Sequence, residues 1–248
     1  MKGYIQSLNP SESSIINTHK VTSKINIDMC VKKSSIIYKK WSVTSYEYRR
    51  KALKSFQSIL TKNKKDLVLM ISKENGKCIF EADLEVTAAI NKVDLTIQAF
   101  ENKQLAQNLP KHLNSHKLSF KPIGLMVVLG PFNFPIHLPL GHILPAILAG
   151  NCVILKPSEY VIGITKLLML YFEQSSIMSD VVQCVYGSSY QARYLISHSR
   201  ISGILFTGSY KTAQSISSYI SRRPELLFAM ECGGNNPLVI SSFKEQLH

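Results

Sequence analysis

No apolar run in this 248-residue sequence can span a bilayer. The longest, such as Gly124–Gly130 and Ile143–Gly150, fall far short of the roughly 20 residues a membrane helix needs. The N-terminus is polar where a secretory leader would carry an apolar core, so export is not expected. Five cysteines (Cys30, Cys78, Cys152, Cys184 and Cys232) form no CxxC pair, which reads as reduced thiols in a cytoplasmic protein. No internal repeat or low-complexity tract appears. Acidic residues are scarce, 16 against 29 basic ones, for a net charge of +13. Residues 1–121 carry +11 of it. Their lysines are scattered along helical faces, with no aromatic interleaving and no nucleic-acid module. They read as solvated helix surface, so neither nucleic acid nor a membrane is expected as partner. What remains is an ordinary folding composition, 45% hydrophobic and 18% charged, on a chain long enough to bury a core.

Residues 1–45 show weak periodicity and many Ser, Lys and Ile, and are expected to form an extended or loop-like segment. From Tyr46 the pattern turns helical. Ala52, Leu53, Phe56, Ile59 and Leu60 recur at helix spacing, and Asp66 opens a second set through Leu67, Met70 and Ile71. Gly76 punctuates, and a further helix is expected from Ile79 to about Glu101, with Leu84, Ala88, Ile90 and Leu95 facing inward. Pro110–Lys121 is polar and reads as an extended arm.

Beyond residue 121 the character changes. Leu125–Leu129, Val153–Leu155, Val181–Val185, Ile204–Phe206, Leu226–Met230 and Leu238–Ile240 are short apolar runs. Segments of helical length, such as Ile162–Gln174 and Lys211–Ile220, lie between them. Fully apolar strands alternating with helices predict a doubly wound, mostly parallel α/β sheet covered on both faces, preceded by a helical N-terminal region. In such sheets ligands bind beyond the carboxyl ends of the strands. Each of the first five runs ends there in a polar or glycine-rich turn: Gly130–Pro135, Lys156–Glu159, Gly187, Thr207–Ser209 and Glu231–Pro237.

Those strings carry a resemblance. Gly130-Pro-Phe-Asn-Phe-Pro135, Leu148-Ala-Gly-Asn151, Lys156-Pro-Ser-Glu159, Phe206-Thr-Gly-Ser209 and Glu231-Cys-Gly-Gly-Asn-Asn-Pro237 stand in the order seen in the aldehyde dehydrogenase superfamily. His137–Asn151, Glu85–Lys92 and the Gly-Gly-Asn-Asn-Pro ending resemble its succinylglutamate semialdehyde dehydrogenase branch, whose members act in arginine catabolism. The resemblance covers residues 46–241, with a helical part over 46–121 and a Rossmann-like, NAD-binding sheet over 122–241.

The resemblance implies two catalytic residues. Asn133 would present its side-chain amide to the aldehyde oxygen, where negative charge builds during attack. Glu231 would be the general base that activates water, with partial burial raising its pKa. Lys156 and Glu159 would hold the adenosine ribose of NAD, the carboxylate repelling a 2′-phosphate. Phe132, Ser158 and Gly187 would also face the cofactor. Gly208, Ser209, Tyr210, Lys211, Thr212 and Ala213 would bring the start of a helix to its pyrophosphate. Ala213 stands where the family has a second glycine, and Ser188 and Ala192 replace glycines of the branch, so crowding of the cofactor is expected. His137 and His142 sit in a Leu- and Ile-rich helix without metal-spaced partners, and core or helix-entry roles are expected. No metal is expected.

In the family a cysteine thiolate attacks the aldehyde. That cysteine lies in a second α/β domain downstream of the glutamate, and only seventeen residues follow Glu231 here. The expectation is a truncated enzyme with negligible turnover of its own. Its parent would be a homo-oligomer taking NAD and a small aldehyde, and a separate C-terminal half is one way to complete it. A non-catalytic nucleotide-binding module, a dehydrogenase for another semialdehyde and a basic interaction protein built on residues 1–121 stay open as alternatives.

Overall fold

The fold is described from a computed structural model covering residues 3–105, 120–175 and 180–242. Five short apolar segments form one all-parallel sheet: β3 (Leu125–Leu129), β4 (Cys152–Lys156), β5 (Val182–Cys184), β6 (Ile201–Thr207) and β7 (Leu227–Glu231). Across the sheet they run β5-β4-β3-β6-β7. Every residue of β3 and β4 is buried, as central parallel strands require. The chain enters at β3, winds outward to β5, then returns to the other side of β3 for β6 and β7. Its direction reverses between β3 and β6, where Val127 faces Ile204 in register.

Right-handed crossovers put α5 (His137–Leu148) and α6 (Ile162–Gln174) on one face of the sheet. They put α7 (Ser189–Ser197) and α8 (Tyr210–Ile220) on the other. A second helical layer, α2 (Tyr46–Lys62), α3 (Lys64–Asn75) and α4 (Ile79–Leu105), packs over α5 and α6. Phe56 of α2 stacks on Phe172 of α6 with ring centroids 4.1 Å apart. Sheet and helices share one continuous core.

The outer layer grips α5 and α6 at their ends. Neither helix has a side-chain cap of its own, and their first backbone N–H groups need acceptors. Glu85 of α4, buried, accepts from Ile136 N (3.1 Å) and His137 N (3.3 Å). Glu74 of α3, also buried, accepts from Gly163 N (2.6 Å) and Ile164 N (2.8 Å). At the other end of α5, Trp41 Nε1 donates to Ile147 O and Arg49 Nε to Leu148 O. Negative charge thus meets both helix N-termini and a cation meets the α5 C-terminus, in the sense the helix dipole favours.

Three expectations need correction. Residues 1–45 are not simply extended: after a hairpin of β1 (Tyr4–Leu8) and β2 (Ile15–Lys20), α1 spans Lys24–Trp41. Its Ser23 side chain caps the start, and its buried Ile27, Val31, Ser34 and Trp41 form a stripe too narrow and polar to stand out. On α4 the inward face is carried by Ala82, Val86, Ala89, Val93 and Ile97, while Leu84 and Leu95 are exposed. Leu238–Ile240 forms no strand and is exposed. No neighbouring strand among the described residues offers it a ladder, and Pro237 just before it cannot donate. Most of Pro110–Lys121 lies outside the described residues. Among those described, no helix is long and apolar enough to cross a membrane.

Candidate functional site

The carboxyl ends of β3, β4, β6 and β7 open onto one cleft of about 1700 Å³ at the switch point. The loop after β3 forms one wall. Gly130 N donates to Lys156 O (3.1 Å), tying the loop's root to β4. Asn75 Nδ2 donates to Phe132 O (2.6 Å) and Asn133 O (3.2 Å), fixing its crest from the last residue of α3. Asn133 Oδ1 accepts from Phe134 N (3.0 Å). The amide oxygen is thereby occupied, and the group left to offer is the Nδ2 donor. Lys77 pairs with Glu85 (2.6 Å) and lies 3.7 Å from the Phe134 ring centroid. A buried ion pair therefore braces the wall that carries Asn133.

At the end of β4, Lys156 is buried and its Nζ stands 3.7 Å from the half-exposed Glu159 carboxylate. Burial pushes the Lys156 ammonium below the ordinary lysine pKa, with Glu159 acting against the shift. Ser158 lines the cleft beside them. At the end of β6, Gly208 N donates to Glu231 O (3.0 Å) across the ladder. Ser209 Oγ then caps α8 by accepting from Thr212 N (3.2 Å). The backbone N–H groups of Tyr210 and Lys211, in the first turn of α8, have no intrahelical acceptor.

Glu231 closes β7 and lines the same cleft as Asn133. The partial burial expected of it is not there: Glu231 is exposed, because β7 is an edge strand with little covering it. Register places Glu231 opposite Thr207, whose Oγ1 meets His142 Nε2 at 3.0 Å. Burial lowers the His142 pKa, and the nearby Glu231 carboxylate opposes that shift.

Of the anticipated residues, Asn133, Glu231, Phe132, Lys156, Ser158, Glu159, Gly208, Ser209, Lys211 and Thr212 meet at this cleft. Three do not line it. Gly187 shapes the turn into α7, with φ +153° and the Gln191 side chain where a Cβ would stand. Tyr210 projects into solvent. Ala213 is wholly buried in the core, so its methyl does not crowd the cleft as expected. Ser188 caps α7 instead of crowding, whereas Ala192 does line the cleft. His137, for which a core or helix-entry role was expected, also lines it. Tyr160, Arg193, Ser215 and Tyr219 are among the further lining residues and were not anticipated. Helical period could have found the last two, since Lys211, Ser215 and Tyr219 recur every four residues along α8. Among the described residues no cluster of three or more metal-ligating side chains occurs.

Sheet order, crossovers and a cleft at the switch point define a doubly wound α/β unit with its candidate site at the strand ends. The chain belongs to the aldehyde dehydrogenase family, whose model matches residues 2–245. It is 41% identical over 207 residues to the N-succinylglutamate 5-semialdehyde dehydrogenase of Legionella pneumophila (strain Corby), covering 84% of this chain and 42% of that protein. The enzyme of the same name from Burkholderia ambifaria (strain AMMD) is 34% identical over 239 residues, covering 96% and 49%. The chain thus spans about half the length of the curated relatives it matches. Among solved structures it superimposes on an aldehyde dehydrogenase from Bartonella henselae with a TM-score of 0.88 at 23% identity, covering 94% of this chain and 49% of that one. A 1-pyrroline-5-carboxylate dehydrogenase from Thermus with bound NAD gives 0.83 at 25% identity, covering 94% and 47%.

Proposed function

We propose that this chain provides the NAD-binding and aldehyde-orienting part of a dehydrogenase that oxidises N-succinylglutamate 5-semialdehyde to N-succinylglutamate. The observation that carries the reading is that Asn133, Glu231, the Lys156–Glu159 pair and the Ser209-capped start of α8 all line one cleft. The residues suit a dinucleotide. Glu159 can accept both hydroxyls of a ribose, and Lys156 adds a donor beside it. The unpaired N–H groups that begin α8 can receive a pyrophosphate. Bound NAD would supply the hydride acceptor.

The chain's own groups divide the remaining work. Asn133 Nδ2 donates to the carbonyl oxygen as negative charge develops there, a contribution of roughly 3–4 kcal/mol to the barrier. Glu231, exposed and at the cleft, accepts a proton from water. The attacking thiolate is not assigned to this chain. Burial raises the thiols of Cys30 to about 11 and of Cys152 and Cys184 to about 12. Cys78 lies in the α3–α4 turn, away from the lining. Cys232 follows the base directly, and we give it no nucleophilic role. A homo-oligomeric whole enzyme and a cytoplasmic setting belong to the same proposal.

Calorimetry with NAD and NADP tests the cofactor assignment. NAD should bind more tightly, and Glu159→Gln should narrow the preference by removing the charge that repels a 2′-phosphate. Absence of binding to both nucleotides would refute it. NADH production from any semialdehyde by the 248-residue chain alone would refute the assignment of the nucleophile elsewhere.

A further inference from the structure

Beside Asn133 the cleft wall holds a histidine with an unused ring nitrogen. His137 begins α5 and lines the cleft with Phe134 and Leu138. Its Nδ1 is shut off from solvent and meets no hydrogen-bond partner among the described residues. Nε2 makes no hydrogen bond among them either, yet it is not enclosed in this way. It is the edge of the ring that a ligand can reach. A neutral imidazole carries one N–H, and a buried N–H without an acceptor costs more free energy than one facing water. The proton therefore belongs on Nε2, leaving the lone pair on Nδ1.

The surroundings hold this ring in place and set its sign. Glu85 accepts from His137 N (3.3 Å), and the Phe134 ring meets the imidazole at a steep angle, 6.5 Å between centroids. Burial first, then Lys92 and Lys77, lower the His137 pKa against the opposing pull of Glu85, which favours the neutral ring. The one carboxylate of this group, Glu85, is already bonded to Lys77 and to the α5 N-terminus. What faces the cleft is a donor in a positive field, which suits an acceptor oxygen.

Resting on the aldehyde-oxidising reading above, we propose that His137 is a specificity-determining residue whose Nε2–H receives an acceptor oxygen on the chain of a polar semialdehyde while Asn133 receives its carbonyl oxygen. The acceptor is a carboxylate or an amide carbonyl. An aldehyde with an all-carbon tail would leave the donor desolvated and unpaired, and a site built to pair a polar group rejects such analogues strongly.

The test uses the full chain labelled with ¹⁵N-histidine, first alone and then saturated with NAD. The ¹⁵N shifts of His137 should report the Nε2–H tautomer before any ligand is added; an Nδ1–H tautomer would overturn the inference. With NAD present, N-succinyl-L-glutamate, a non-aldehyde probe, should shift Nε2. His137→Leu should weaken its binding about tenfold, the loss of one hydrogen bond. His137→Gln, which restores a donor, should recover most of the affinity. Hexanal, whose tail carries no acceptor, should bind His137→Leu at least as well as the wild type. A shift with glutarate but not N-butylacetamide would identify a carboxylate as the acceptor, and the reverse an amide. An unshifted Nε2, or equal probe affinity in wild type and His137→Leu, would overturn the proposal while NAD binding still stood. Failure of NAD to bind would instead count against the aldehyde dehydrogenase reading.

Discussion

Replacing Glu85 by alanine should be among the most damaging single changes in the chain, although the residue lies outside every strand-end turn. Its side chain has no solvent exposure and serves three partners: Ile136 N, His137 N and Lys77 Nζ. Alanine leaves two helix-terminal donors without acceptors and a nearly buried ammonium without a counter-charge. Breaking a buried pair from one side costs about 3–5 kcal/mol, and the orphaned amides are largely part of the same loss. With a urea slope of about 2–3 kcal/mol/M, the unfolding midpoint should fall by roughly 1–2 M. Glu85→Gln keeps the shape and one acceptor and should cost about half as much. Because the Lys77 charge causes much of the damage, Lys77→Met combined with Glu85→Gln should cost at least about 1 kcal/mol less than the sum of the two single changes. Urea titrations of the four proteins by far-UV circular dichroism give the cycle. A loss below about 1 kcal/mol for Glu85→Ala, or strict additivity of the double change, would refute the bracing role.

On the proposed reading, Lys156 is held for cofactor binding at a cost to stability. Its folded pKa is depressed, so burial penalises the charged form below that pKa, and the penalty vanishes towards the ordinary value of 10.5. Lys156→Met should therefore gain about 1 kcal/mol at pH 7 and lose that advantage as pH rises, while NAD affinity in calorimetry drops at least about tenfold. His137, His142 and His198 all have pKa values lowered chiefly by burial. Their neutral forms support the fold above 6.5, and that support is lost as pH falls through the folded values. The urea midpoint should hold between about pH 8 and 7 and drop towards about pH 5; a midpoint that does not fall would count against the burial. Iodoacetamide at pH 8 should modify the exposed Cys78 and Cys232 quickly and the part-buried Cys30 and Cys184 more slowly, whereas the buried Cys152 should react only on unfolding. Peptide mapping before and after adding urea decides this, and rapid labelling of Cys152 in the native state would contradict the packing.

Central parallel strands announce themselves because burial on both faces leaves nothing polar in them. Leu125–Leu129 has the same limits in pattern and in structure, and the turns after β3, β4, β6 and β7 converge as that topology demands. What periodicity could not convey is which of two apolar faces wins. On α4 the smaller stripe of Ala82, Val86, Ala89 and Val93 is buried because it lets the helix approach α5 closely, leaving the bulkier Leu84 and Leu95 outside. Helix α1 escaped for a related reason, since its β-branched Ile and Val residues and interspersed Ser imitate extended structure. Gly187 and Ala213 were placed at the ligand by motif position alone. In the structure Gly187 forms the turn into α7, Ala213 packs in the core, and neither lines the cleft.

The contacts least visible in the sequence are those that hold the chemistry in register. Asn75, Lys77 and Glu85 stand about 50 or more residues before Asn133, and only Glu85 falls in a string that carries the resemblance, yet they fix the loop crest, the Phe134 ring and the α5 N-terminus. Arg49 and Trp41 hold the opposite end of the same helix. A donor that must meet a developing charge has to be fixed before the reaction, because reorganising it later would consume the stabilisation it provides. The strand-end turn supplies the Asn133 amide, and the outer helical layer supplies its rigidity. On the proposed reading, that division explains why the strand-end strings point to the reactive groups while nothing in the sequence points to the bracing by Asn75, Lys77 and Glu85. It also implies that damage to the outer layer should disturb Asn133 before it disturbs the sheet. In the Glu85→Gln protein, amide exchange should therefore accelerate at Phe134 and His137 while β3 and β4 stay protected. Uniform acceleration across both would mean that the layer stabilises the whole domain and not the site.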